Sequence, residues 1–87
     1  MQVLEIKSLT RKDVPIYYRM FYSGVAVIEL PTKSVNLTID FSIEMMPTGR
    51  KDIHLSIIDP VDYPIVPVRQ AIRKYIVELD AGGKLPI

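Results

Sequence analysis

The sequence predicts an α+β fold: an antiparallel sheet of four to five strands, open or curved into a half-barrel, with one C-terminal helix packed on its apolar face. Two segments, Val35–Met45 and Ile53–Ile58, alternate apolar and polar residues, and a period of two is typical of a strand with one buried face. The segment Val68–Leu79 instead repeats apolar residues every three or four positions, as a helix with one buried face does. We expect a single small domain over residues 1–87.

The N-terminal third contains one segment with two interpretations. After a first strand at Val3–Lys7, residues 14–22 carry apolar side chains at helical spacing and also at alternating positions. A strand at Ile16–Tyr22 is favoured, because β-branched and aromatic residues dominate it and Pro15 is tolerated where a strand begins. A short loop ending at Gly24 then predicts a hairpin to the next strand, Val25–Leu30.

The following two hairpins are predicted from their turn residues. Residues 31–34 form the loop before Val35–Met45, and residues 47–51, which include a proline and a glycine, form the loop after it. The register must set apolar side chains opposite each other, because a slip of one residue turns every side chain to the other face. On the polar face this register sets Glu44 opposite His54.

The C-terminal region changes from strand to helix. Residues 59–67 hold three prolines and are predicted to be extended. Pro67 suits the first turn of a helix, and the two glycines at 82 and 83 end it. The apolar stripe expected to lie on the sheet consists of Val68, Ala71, Ile72, Tyr75, Ile76 and Leu79.

Composition narrows the classes of protein. The formal net charge is +1, whereas a strong non-specific binder of nucleic acid is usually markedly basic. The chain has no cysteine, which excludes disulfides and thiolate metal sites and fits a cytoplasmic protein. No apolar run approaches the roughly 20 residues of a membrane span, and the N-terminus lacks the pattern of a signal peptide. We therefore expect no membrane association.

Tyr17, Arg19 and Phe21 form the first candidate interaction surface, because the predicted strand places all three on the face away from the core. Aromatic and arginine side chains in a row fit a platform on which single-stranded bases stack. They also fit a protein interface, where the same residue types are enriched. If another strand or loop covers them, as in a small barrel, they form a second core instead.

The second candidate surface is a basic helix face made of Arg69, Arg73 and Lys74. Arginines one turn apart can hold phosphates or the carboxylates of a partner. A solvated helix face explains the same pattern. The only histidine, His54, is expected to form a surface pair with Glu44. Since the chain shows no Ser-His-Asp set, no glycine-rich phosphate loop and no metal-ligand motif, we predict no catalytic residue, no metal, no cofactor and no enzymatic activity.

Several antiparallel strands followed by a C-terminal helix, with residues 23–27 at a glycine-containing strand entry, resemble the layout of PilZ domains. That resemblance covers about half of the chain and implies binding of cyclic di-guanylate. Both PilZ motifs are missing: Arg11 is followed four positions later by Pro15 rather than arginine, and no Asp-x-Ser-x-x-Gly segment leads to Gly24. Nucleotide binding is therefore in doubt, and the residues identify no family.

Three functional hypotheses follow. The first is a non-enzymatic module that binds another protein, because the charge is near neutral and an aromatic face is spare. The second is a nucleic-acid or nucleotide binder that uses either candidate surface. The third is a structural protein that associates with itself through an edge strand or the aromatic face.

Overall fold

The protein consists of four strands followed by one helix, in a computed structural model that describes residues 1–86. The strands are β1 (Gln2–Lys12), β2 (Arg19–Glu29), β3 (Ser34–Met45) and β4 (Lys51–Ile57), and the helix is α1 (Ile65–Ala81). All neighbouring strands are antiparallel and lie in the order β1-β2-β3-β4, so β1 and β4 are the edges. The predicted α+β fold is confirmed, with four strands.

The predicted hairpin before Val25 is wrong. β2 continues from Arg19 through Gly24 to Glu29, so the predicted strands Ile16–Tyr22 and Val25–Leu30 are largely one strand. The helical interpretation of residues 14–22 is wrong as well, because residues 13–18 form an irregular connection between β1 and β2. β1 is correspondingly longer than predicted and runs on to Lys12.

Gly24 lies inside a strand because β1 passes very close to it. The pairing of β1 with β2 slips between Lys7 and Thr10, and Ser8 within this bulge has a φ of 54°. A Cβ atom on Gly24 would lie 2.8 Å from Ile6 Cγ2 and 3.3 Å from the carbonyl oxygen of Lys7. A glycine inside a strand often marks such a close approach of another chain segment. Its role here is to admit β1 and not to turn the chain.

Both predicted loops around β3 exist, but each register differs by two residues from the predicted one. Residues 30–33 connect β2 to β3, and residues 46–50 connect β3 to β4. Glu44 therefore faces Asp52, and His54 faces Ser42. A shift of two leaves every side chain on its predicted face, because side chains alternate with a period of two. The predicted pair still forms across the diagonal, with His54 Nε2 3.4 Å from Glu44 Oε1.

The core lies between one face of the sheet and α1. The helix contributes three fully or almost fully buried residues spaced four apart, Val68, Ile72 and Ile76, as its apolar stripe predicted. The sheet contributes Val3, Tyr22, Ala26, Ile28, Leu37, Ile39, Phe41, Ile43 and Leu55, together with Leu30 from the loop that follows β2. α1 is not long and apolar enough to cross a membrane, and it is the only helix in residues 1–86.

Polar contacts attach α1 to the edge strand β4. Arg69 Nη2 donates a hydrogen bond of 2.7 Å to the main-chain carbonyl of Leu55. Near the other end of the helix, Lys51 Nζ lies 2.8 Å from Asp80 Oδ2. The first contact satisfies a carbonyl on a strand that has a neighbour on only one side. The second brings the end of α1 to the beginning of β4, where the site described below is located.

Candidate functional site

The structure divides the predicted surface of Tyr17, Arg19 and Phe21 into two parts. Tyr17 lies in the connection between β1 and β2 and is 91% exposed. Arg19 and Phe21 lie on β2 and are partly buried on the sheet face opposite α1, which we call the polar face. The guanidinium carbon of Arg19 is 5.4 Å from the centroid of the Phe21 ring, and Arg19 Nε donates to Ser42 Oγ at 3.1 Å. Arg19 is thus held in place, and Tyr17 belongs to a different surface.

The polar face carries both signs of charge. Lys12 Nζ lies 3.2 Å from Asp40 Oδ1, and His54 pairs with Glu44. Asp52 faces Glu44 in the register and adds a further acidic residue. Because acids stand beside most of the bases, this face lacks the continuous positive potential that attracts a nucleic-acid backbone.

The predicted basic helix face is also divided. Arg69 is half-buried, and its guanidinium is engaged with Leu55 on β4, so one of the three basic groups holds the fold together. Arg73 and Lys74 are exposed. Two exposed basic residues on a helix are ordinary for a solvated face.

A cleft that we did not predict opens beside Tyr17, where α1 ends against the sheet. It has a volume of about 350 Å³. We call it the tyrosine cleft, and its lining residues are Tyr17, Tyr18, Met20, Tyr22, Ile43, Met45, Lys51 and Asp80. The sequence signal for it was the pair of adjacent tyrosines after Pro15, which fits an irregular connection as well as a strand.

The outer wall of the cleft is ordered although its side chains are exposed. The rings of Tyr17 and Tyr18 meet edge to face, with centroids 5.6 Å apart and an angle of 88°. The amide of Met45 donates a 2.8 Å hydrogen bond to the carbonyl of Tyr18, which ties the β1–β2 connection to the end of β3. Tyr18 and Met45 are each about half exposed. Large apolar groups are therefore presented to solvent on a fixed backbone.

The floor of the cleft is formed by Tyr22, which is 6% exposed. Its ring stacks on Phe41 at 5.0 Å between centroids. Burial raises the pKa of the Tyr22 phenol, Asp80 raises it further, and Arg11 and Lys51 act in the opposite direction. The phenol is therefore protonated at neutral pH and can donate a hydrogen bond to whatever enters the cleft.

The cleft is built for binding rather than for catalysis or metal coordination. Its walls are aromatic, aliphatic and thioether groups, and its charged residues Lys51 and Asp80 are bound to each other. Within residues 1–86, no group of three or more histidine, aspartate or glutamate residues is arranged to hold a metal ion. Such a lining is suited to an apolar or aromatic side chain.

The fold and the cleft define a class of protein: a small α+β domain whose sheet-and-helix core carries an aromatic surface cleft. The chain belongs to the BB_0187 family, whose model matches residues 1–81. The matched range includes all four strands, the whole of α1 and every residue that lines the tyrosine cleft. No curated protein and no solved structure matches this chain.

Proposed function

We propose that the protein is a non-enzymatic, cytoplasmic interaction module that binds another protein, and that the tyrosine cleft receives an apolar side chain of that partner. The observation that carries the proposal is the exposure of Tyr17, at 91%, beside the half-exposed Tyr18 and Met45 around one cleft. The lack of cysteine fits the cytoplasmic location.

The physical reason is the cost of leaving such side chains in water. Tyrosine and methionine are enriched in the buried centres of protein interfaces, and tyrosine residues there often carry most of the binding energy. The hydrogen bond between Met45 and Tyr18 limits the entropy lost on binding, because the backbone of the wall is already ordered.

The mixed charges of the polar face favour a protein partner over a nucleic acid. Lys12 and His54 each stand beside a carboxylate, and a phosphate backbone would have to displace those carboxylates to bind. Stacking of bases on Phe21 would also compete with Arg19, which already lies over its ring.

A variant of the cleft wall is expected to lose the partner. In affinity capture from an extract of the cells that make this protein, we expect Met45→Glu to reduce recovery of bound proteins at least about tenfold, as a loss of 1.4 kcal/mol would. Val77→Glu is the matched control, because Val77 on α1 is 49% exposed and Met45 is 47% exposed. Recovery is measured by quantitative mass spectrometry.

Circular dichroism on both variants checks that the fold is retained. Equal recovery of the same proteins by the wild type, Met45→Glu and Val77→Glu would contradict the proposal. Recovery of this chain alone would replace the partner by a second copy.

A further inference from the structure

We propose that the tyrosine cleft recognises a peptide segment in which an aromatic side chain stands beside a carboxylate: the ring enters the cleft and the carboxylate pairs with Arg11. This inference rests on the proposed function, since it specifies the partner of the same cleft. The juxtaposition that carries it is an arginine without an acidic neighbour at the edge of an aromatic cleft.

Arg11 reaches the cleft through Met20. Its Nη2 atom lies 3.2 Å from the sulfur of Met20, which lines the cleft, and its charge acts on the phenol of Tyr22 on the cleft floor. The Arg11 side chain is exposed. A thioether sulfur is a weak acceptor, so the guanidinium remains available for a stronger partner.

The other basic residues near the cleft are already neutralised. Lys51 is bound to Asp80, Lys12 to Asp40 and Arg50 to Asp52. Among residues 1–86, no carboxylate lies within 4.0 Å of Arg11. The rim therefore has one uncompensated positive charge, and a carboxylate on the partner would complement it in a bidentate pair.

The size and lining of the cleft select one ring. A volume of about 350 Å³ is near the lower limit of ligand pockets, which suits one large side chain rather than several. Met20 and Met45 lie on the walls, and thioether sulfurs contact aromatic rings favourably. Tyr17 and Tyr18 add ring edges and faces for edge-to-face packing.

A second copy of the chain fits the cleft less well than a partner does. Tyr17, its most exposed aromatic residue, has no acidic residue within three positions. Tyr63 does follow an acid, Asp62, but its ring packs against the core of its own chain. Neither tyrosine presents a free ring next to a carboxylate.

The test is an amide NMR titration of the full chain with three capped peptides that differ only in the residues around tryptophan: Gly-Asp-Trp-Asp-Gly, Gly-Ser-Trp-Ser-Gly and Gly-Lys-Trp-Lys-Gly. We expect shifts at Tyr17, Tyr18 and Met45 with all three peptides, with affinity highest for the aspartate peptide and lowest for the lysine peptide. The preference for aspartate should weaken as salt is added.

Charge reversal at Arg11 separates recognition of the carboxylate from binding of the ring. In Arg11→Glu we expect affinity for the aspartate peptide to fall about tenfold or more and the order of aspartate and lysine peptides to invert. Arg73→Glu makes the same change of net charge on an exposed part of α1 that does not line the cleft, and it should leave the order unchanged.

Each other outcome overturns the inference in a distinguishable way. Equal affinity for the aspartate and serine peptides, or an unchanged order in Arg11→Glu, would show a cleft that reads the ring alone, and the proposed function would stand. Shifts at the cleft on dilution of the protein without peptide would assign it to a second copy. Absence of cleft shifts with every peptide would reject the recognition chemistry, while the capture experiment with Met45→Glu decides the proposed function separately.

Discussion

Replacement of Ile72 by aspartate is expected to unfold the domain. Ile72 is fully buried between α1 and the sheet. A carboxylate there loses its hydration without gaining a partner, which costs several kcal/mol in addition to about 2–3 kcal/mol of lost apolar burial. A domain of this size is stable by only about 5–10 kcal/mol. Circular dichroism should show loss of the folded spectrum and no cooperative thermal transition.

Two companion variants make this prediction quantitative. Ile72→Ala should remain folded but lower the free energy of unfolding by about 2–5 kcal/mol in urea titrations, because it leaves a cavity without a buried charge. Val77→Asp places the same carboxylate on the exposed side of α1 and should cost less than about 1 kcal/mol. A normal cooperative transition for Ile72→Asp would mean that α1 does not pack on the sheet through this residue.

Replacement of Gly24 by alanine is expected to destabilise the domain by about 1–3 kcal/mol, the usual cost of adding a methyl group where there is no room. The new Cβ would meet Ile6 Cγ2 at 2.8 Å and the carbonyl oxygen of Lys7 at 3.3 Å. The branched side chain of Ile6 cannot easily turn away, and the Lys7 carbonyl belongs to the backbone. Urea unfolding monitored by circular dichroism gives the change.

A double-mutant cycle identifies the contact. In the background of Ile6→Ala, which removes the clashing methyl group, Gly24→Ala should cost measurably less than it does in the wild type. Additive effects of the two substitutions would show that β1 does not lie against Gly24. In that case the original expectation of a turn at this glycine would regain support.

The strands and the helix with strong periodicity were predictable from local sequence. β3 alternates over its whole length, and α1 carries its stripe at helical spacing, so each element was predicted within three residues of its observed ends. The registers were wrong by two residues because a shift of two also sets apolar side chains opposite each other. Turn composition alone does not choose between the two registers.

The role of Gly24 was not predictable, because it depends on β1, which lies about 17 residues earlier in the chain. Locally, Ser23 and Gly24 have the composition of a turn. The same limit applies to the candidate surfaces. Tyr17 and Phe21 alternate as in a strand, but the connection that holds Tyr17 turns it towards the end of α1, away from Phe21. The cleft exists only where these distant segments meet.

Photo-crosslinking from two positions tests most directly whether the cleft binds a partner protein. A benzophenone amino acid is placed at Tyr17, beside the cleft, or at Phe21, on the polar face. After irradiation in cells, mass spectrometry identifies what is attached at each position. We expect a protein adduct from position 17 that is lost in Met45→Glu, and no adduct with the same protein from position 21. Adducts from position 21 alone, or nucleic acid at either position, would contradict binding of a partner protein in the tyrosine cleft.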